Sequence, residues 1–417
     1  MNPKTDSALA GVAAPAAGGA GSGESQEAPL VRGLHWFRGA ALDLARRPPN
    51  NVPALDVLRT VAVLLVFTGH FGGEFAASPS VSKWPPFYYG WSGVDLFFVL
   101  SGLLIGTQLW REMKATGRIR IGRFLLRRGL RIWPLYFSFV GLLGAEVIFL
   151  GRPAAGLGAD ALFLSNYFHN QVAGGWSLST EEQFYVLAPL SISILALVLK
   201  PERGWVLPVA AFFLPVVARA IEAHGSTLNE YDLKQQLYFP FHTHSEGLAL
   251  GLLLAWIAVF RPNRLTLRGR AIAAAAMLLA GGVLYASSRV LFNFSALALI
   301  YGAATCLGMG PRPRSRILNW HGFYLISRLS YGVYLNHFGL LPRLHAVLGG
   351  WRQSGGEPAF WVCYVLCFLA CLAFAAVTFQ LIEWPFLRIR SRWLERASSH
   401  TTKSGKGYGS PKALPLS

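Results

Sequence analysis

Two ionisable residues stand where apolar ones are expected. Arg59 and His70 both fall within LDVLRTVAVLLVFTGHFGGEF, an apolar run from Leu55 to Phe75 that is long enough to cross a bilayer. On a helix, their eleven-position offset leaves them about 20° apart around the axis and roughly 16 Å apart along it. One face therefore carries a fixed cation at one depth and a titratable base at another. Arg59 snorkelling to a headgroup and His70 as a satisfied polar residue would account for either alone. The pair on one face points to a polar cavity, because ionisable groups inside a membrane are costly and concentrate at functional sites.

Other groups fit that reading. Asp95 lies about two turns inside the outer end of the second apolar run, at a depth comparable with His70, and a buried Asp needs a His or Arg partner. It either supports His70 or pairs within the bundle without touching substrate. Gly93, Ser101, Gly102 and Gly106 give that helix a small-residue face suited to close packing. In GRFLLRRGLRIWPLYF, Arg123, Arg127 and Arg131 recur at i, i+4 and i+8, a basic stripe suited to phosphates or, alternatively, to lipid headgroups. No Walker-type loop occurs, which argues against nucleotide hydrolysis. The segment GGWSLSTEEQFYVLAP offers Trp176 as an interfacial anchor and Ser177 or Ser179 as a helix cap with Glu181 or Glu182 in the first turn. Capping leaves the face of Glu181, Phe184 and Tyr185 unexplained, and that face is expected at the outer mouth, level with His70.

These residues must be positioned by a membrane bundle. The chain has 417 residues, 53% of them hydrophobic and 14% charged, with a mean hydropathy of +0.40, which fits a polytopic membrane protein. The expected fold is all-α, with ten spans near 55–75, 87–110, 131–150, 181–199, 204–221, 238–260, 271–287, 290–309, 320–341 and 359–384. Basic residues cluster in alternate loops, for example Arg111 to Arg131, Arg261 to Arg270, Arg312 to Arg316 and Arg388 to Arg396. That alternation predicts cytoplasmic termini and makes most of the +18 charge topogenic, not a nucleic-acid signal. Residues 1–50 read as a disordered cytoplasmic tail with a short basic juxtamembrane segment, in which 30–44 forms an amphipathic surface helix. Residues 51–390 form the transmembrane domain, and 391–417 read as a disordered cytoplasmic tail. Cys306, Cys363, Cys367 and Cys371 lie in apolar runs, and the last three share a helix face as small packing residues.

In this order the motifs resemble those of the acyltransferase 3 family, bacterial membrane O-acyltransferases that act on surface and exported sugars. The resemblance covers about residues 51–390. It rests on Arg59 and His70; on GVDLFFVLSG from Gly93; on Arg127, Arg128, Arg131, Ile132, Pro134 and Tyr136; on Trp176, Ser177, Leu178, Glu181, Phe184 and Tyr185; on Ser330, Tyr331, Tyr334, Leu335 and His337; and on Glu383 with Pro385. One departure is in FHTHSEG, where an Arg followed two residues later by Asp is common in the family and this chain has His244 and Glu246. The substitution keeps a basic and an acidic residue but makes the charge pH-dependent. A metal site at His242, His244 and Glu246 is disfavoured, since residues two apart point to different helix faces.

The resemblance implies acyl transfer, most simply of acetyl, from cytoplasmic acyl-coenzyme A to a carbohydrate hydroxyl at the bacterial inner membrane, with no tightly bound cofactor or metal. Arg59, Arg127, Arg128 and Arg131 are then expected to hold the coenzyme A phosphates. His70 is expected to act as general base or transient acyl carrier, oriented by Asp95 or Glu181. Trp176, Tyr185, His244, Glu246, Tyr334 and His337 are expected to bind the acceptor or support the site. The expected partners are the lipid bilayer, acyl-coenzyme A and the carbohydrate acceptor, with no nucleic acid. A transporter or flippase of a lipid-linked or anionic metabolite is the alternative, disfavoured because the span carrying Arg59 and His70 has no second copy.

Overall fold

The computed structural model describes residues 29–49, 51–310 and 315–403. The chain is all-helical, 80% helix with no strand among the described residues. In chain order the helices are α1 (Pro29–Ala45), α2 (Pro53–Glu74), two short turns α3 (Pro79–Ser82) and α4 (Pro85–Tyr88), α5 (Gly93–Thr116), α6 (Ile121–Leu150), short α7 (Leu157–Ala161), α8 (Gly175–Val198) and α9 (Val206–Ala223). They continue with α10 (Glu230–Tyr238), α11 (Glu246–Phe260), α12 (Leu267–Ser287), α13 (Asn293–Gly308), α14 (His321–Ser354), α15 (Gly356–Thr378) and α16 (Trp384–Lys403).

Local chemistry sets many boundaries. Pro53 opens α2 where its missing N–H is harmless, and Gly117 and Gly151, at φ +69° and +63°, close α5 and α6 in the left-handed conformation. The Thr266 hydroxyl caps α12 by accepting from Gly269 N at 3.1 Å.

At the centre, α5 lies along α11, with α2 packed between α5 and α14. The small-residue face expected on α5 makes this approach: a Cβ on Gly102 would fall 2.2 Å from the Leu248 carbonyl, and one on Gly251 2.2 Å from that of Val99. Glycine is the residue that lets these backbones touch. The peripheral helices instead turn apolar side chains outward, among them Phe149, Leu197, Ile221 and Leu279. With no water to hide from in hydrocarbon, this exposure is ordinary for a membrane protein.

Among the described residues, seven helical segments are long and apolar enough to cross a membrane: 53–74, 90–116, 121–150, 175–198, 201–223, 267–287 and 356–393. Helices also occupy the other three expected spans. Of these, α11 and α13 are short, at 15 and 16 residues, and the 34 residues of α14 include Arg328, Arg343 and Arg352. Boundaries moved as well. The fourth expected span begins at Gly175, six residues early, and the sixth at Glu246, because residues around Pro240 leave the helix.

Both ends of the described chain lie at one end of the bundle. Trp36 of α1 meets Trp384 of α16 edge-on at 4.6 Å, and Asp43 pairs with Arg328 at 3.2 Å. The expected amphipathic helix at 30–44 is present as α1. The C-terminal tail differs from expectation, since α16 remains helical to Lys403, anchored at its start by buried Trp384. Most of the N-terminal tail, the last fourteen residues, and the loop holding Arg312 and Arg314 lie outside the described residues. Cys363, Cys367 and Cys371 are buried and unbridged along α15.

Candidate functional site

Helix α2 lines two cavities that share wall residues. His70 opens into a cavity of about 660 Å³, and Arg59 lines a smaller one of about 110 Å³. Val94 and Tyr334 form walls of both. The common helix face inferred for Arg59 and His70 thus serves two neighbouring chambers.

In the larger chamber, His70 has its Nδ1 2.8 Å from the Val66 carbonyl. A carbonyl can only accept, so that nitrogen carries the proton. The same holds for His337, whose Nδ1 lies 3.1 Å from the Val333 carbonyl. The unprotonated Nε2 of His337 faces Nδ1 of His70 at 3.3 Å, a second acceptor for the same N–H. Both rings thereby share one tautomer, assigned here from their partners. In the neutral ring this leaves Nε2 of His70 without a proton, on an exposed side chain, the form a general base requires. Phe338 packs edge-on against His70 at 4.3 Å and fixes the ring from another side.

Neither carboxylate expected beside His70 is there. Asp95 Oδ1 lies 2.8 Å from Nε2 of His244, a pair buried to within 2%. The other nitrogen of His244 donates to the Tyr238 carbonyl at 2.7 Å. Rings of Phe294, Tyr238 and Trp176, all lining the larger chamber, pack against His244. The Asp95–His244 pair therefore sits behind the chamber wall. Glu181 lines the Arg59 chamber, accepting from Ser101 at 2.7 Å and Tyr185 at 3.0 Å. Its displacement follows from the early start of α8, which puts Glu181 nearly two turns into the helix and away from the mouth.

The same shift revises its neighbours. Gly174 takes the cap position at φ +74° with no side-chain cap, so Ser177 and Ser179 do not cap. Ser177 instead bonds Tyr334 hydroxyl-to-hydroxyl at 2.5 Å, and Ser179 accepts from Ser165 N. Trp176 is buried in the larger chamber's wall, not an interfacial anchor.

His244 and Glu246 are also not a pair. Glu246 meets Arg219 at 2.5 Å, both fully buried, and Ser295 donates to the same carboxylate at 2.8 Å. His242 turns away to Glu222 and Tyr167. Arg219 was missed in the sequence, although an arginine inside the apolar run of α9 is the same anomaly that marks Arg59.

The smaller chamber is lined by Arg59, Arg128, Arg131 and Arg328, faced by Glu181 and Glu383. Among the described residues, no hydrogen bond or ion pair joins Arg59, Arg128 or Arg131 to another residue; Arg328 is held by Asp43. Arg127 is exposed and does not line the chamber, and Arg123 packs over Trp393 at 5.6 Å. Of the stripe read at i, i+4 and i+8, Arg131 alone reaches the cavity, joined by Arg128 three residues earlier.

A helical membrane protein with a neutral histidine in one chamber and clustered arginines in the next defines the class. Residues 52–379 match the acyltransferase-domain family of type 3, and the chain belongs to that family. Among curated proteins it is similar to the O-acetyltransferases OatA of Staphylococcus aureus strains NCTC 8325, COL and MRSA252. Each is 24% identical over 375 residues, 81% of this chain and 57% of the relative. The chain thus spans somewhat over half the length of these relatives. No solved structure matches it significantly.

Proposed function

We propose that the protein is a ten-span O-acyltransferase of the bacterial inner membrane. In this reading it moves an acyl group, most simply acetyl, from acyl-coenzyme A to a hydroxyl of a surface or exported glycan. The Arg59 end faces the cytoplasm, as the basic loops indicate, with both termini on that side and residues 51–390 forming the catalytic domain. Arg59, Arg128 and Arg131 hold the donor's phosphates as planar, permanently charged forks. The flexible acyl arm threads past Val94 and Tyr334 to the His70 chamber. There the acceptor hydroxyl gives its proton to Nε2 of His70 as its oxygen attacks the thioester carbon. The carbon–sulfur bond breaks, the thiolate leaves with the pair of electrons, and it takes the proton from Nε2 of His70, which restores the base. His337 orients His70, the role first expected of a carboxylate. No serine elbow is present to compete as nucleophile.

The observation that carries this reading is the paired tautomer of His70 and His337 beside a chamber that shares two wall residues with an arginine-lined one. The family relationship and the name of the OatA relatives support the acyl chemistry. Mass spectrometry of surface glycans from cells with and without the gene tests it. An acyl mass increment present with the wild type and absent with His70→Ala is expected. An unchanged glycan profile on deletion would refute the reading.

A further inference from the structure

The larger chamber has a charge pattern that the proposed reaction does not use. Lys234 and Arg289 line it, and no aspartate or glutamate does. Arg289 is exposed at the chamber's edge, its guanidinium 5.5 Å from the centre of the Tyr285 ring. That ring is itself held by a hydroxyl contact of 3.1 Å between Tyr285 and Tyr89. A guanidinium stacked on a tethered ring keeps its N–H fork in a restricted orientation. Lys234 is paired to Glu230 at 2.5 Å, but Glu230 is 63% exposed and does not line the chamber. Such an exposed pair is weak and exchanges readily for a better anion.

The remaining wall is aromatic. Trp91, Tyr238 and Trp176 follow one another as a stepped aromatic ladder, ring centres 5.7 and 4.7 Å apart, the first pair edge-on and the second tilted at 54°. Ring faces of this kind offer apolar planes with polar edges, which suits a sugar with one apolar C–H face and hydroxyls around its rim. A neutral glycan would use the ladder and leave both cations idle.

We propose that the acceptor is an acidic carbohydrate. A carboxylate-bearing sugar residue is held at the chamber edge by Arg289 and Lys234, while a neighbouring ring stacks on the aromatic ladder. This deepens the acyl-transfer reading and rests on it for the word acceptor, but the binding site stands on its own geometry. Arg289 supplies two parallel N–H donors to a carboxylate, and Lys234 a second charge.

The test uses the full chain in phosphatidylcholine nanodiscs, so that no anionic lipid competes. A glucuronate-containing disaccharide and its carboxyl-reduced counterpart are titrated, with quenching of indole fluorescence as readout. The acidic sugar is expected to bind at least tenfold more tightly, with the advantage shrinking as salt rises. In the double variant Arg289→Gln, Lys234→Gln the two sugars should bind alike. Arg289→Lys, which keeps the charge and loses the fork, should retain part of the preference and shows that the site still folds. Equal affinity in the wild type, no binding of either sugar, or a preference that survives the double variant would overturn the proposal. Acyl transfer is assayed separately: loss of transfer with an intact preference would count against the reaction, and transfer to neutral sugars without preference against the acidic acceptor.

Discussion

The two chambers along α2 solve opposite problems. The smaller one concentrates permanent charge, with four arginines against two glutamates, and three of those arginines have no hydrogen-bonding partner among the described residues. The larger one has rings for walls and is lined by His70, whose ring is hydrogen-bonded to the buried His337 behind it. Under the proposed reaction, a polyanionic donor calls for charges that no pH shift removes, whereas a base must be able to lose its proton. Arg59 and His70 share one rigid helix, which fixes their separation without any loop, while Arg128 and Arg131 come from α6.

The sharpest way to break this contrast is His70→Ala. Loss of a general base lowers the rate by about 10² to 10⁴, and an exposed imidazole contributes little to packing, so the amount of folded protein should not change. Residual kcat within tenfold of wild type, with normal abundance, would remove His70 from the chemistry.

Next in size comes the arginine side. A charged hydrogen bond is worth about 1.5–3 kcal/mol, so Arg131→Ala should raise the donor KM on the order of tenfold to a hundredfold while leaving kcat nearly intact. Arg131→Lys should recover part of this, because charge returns without the planar fork. A fall in kcat at unchanged donor KM would assign Arg131 to the reaction and not to binding, and the division between chambers would fail.

His337→Phe removes the ring nitrogens but enlarges a fully buried side chain, so the amount of folded protein is measured alongside it. The expected effect is about a fivefold drop in kcat, from one neutral hydrogen bond worth about 1 kcal/mol. Donor and acceptor KM should hold. A loss as large as that of His70→Ala would make His337 a participant in proton transfer instead of an orienting group.

Part of this was legible in the residues. The Arg59 and His70 face follows from helical periodicity, and the close α5 crossing follows from its small residues; both are local properties of one segment. The partner of His70 was not legible, because His337 is 267 positions away and a sequence gives no tertiary distance. Charge logic favours a carboxylate, Asp95 or Glu181, yet each is taken up by other groups: His244 for Asp95, Ser101 and Tyr185 for Glu181. The register error at α8 had a physical origin as well. Serines before glutamates read as a cap, whereas a left-handed Gly174 started the helix earlier and moved Glu181 into the other chamber. The His244 and Glu246 pair failed for a related reason: Glu246 opens α11 while His244 precedes it, so adjacency in sequence gave them different helical partners.

Arg127 separates the sequence pattern from the cavity most finely, and its effect should be the smallest. In the stripe it is equivalent to Arg131, since both occupy the same i+4 series. In three dimensions Arg131 lines the smaller chamber, whereas Arg127 is exposed and outside its wall. An exposed charge acts on a bound phosphate through water and salt, where its contribution at physiological ionic strength is small. Arg127→Ala should therefore change the donor KM by no more than about twofold, with a slightly larger effect at low salt. If instead it matched Arg131→Ala at physiological salt, the donor's phosphates would have to extend along the outer stripe of α6, and the smaller chamber would hold only the acyl arm. Measuring donor KM for the two alanine variants at two salt concentrations decides between those placements, because a contact inside the chamber resists screening and one on the stripe does not.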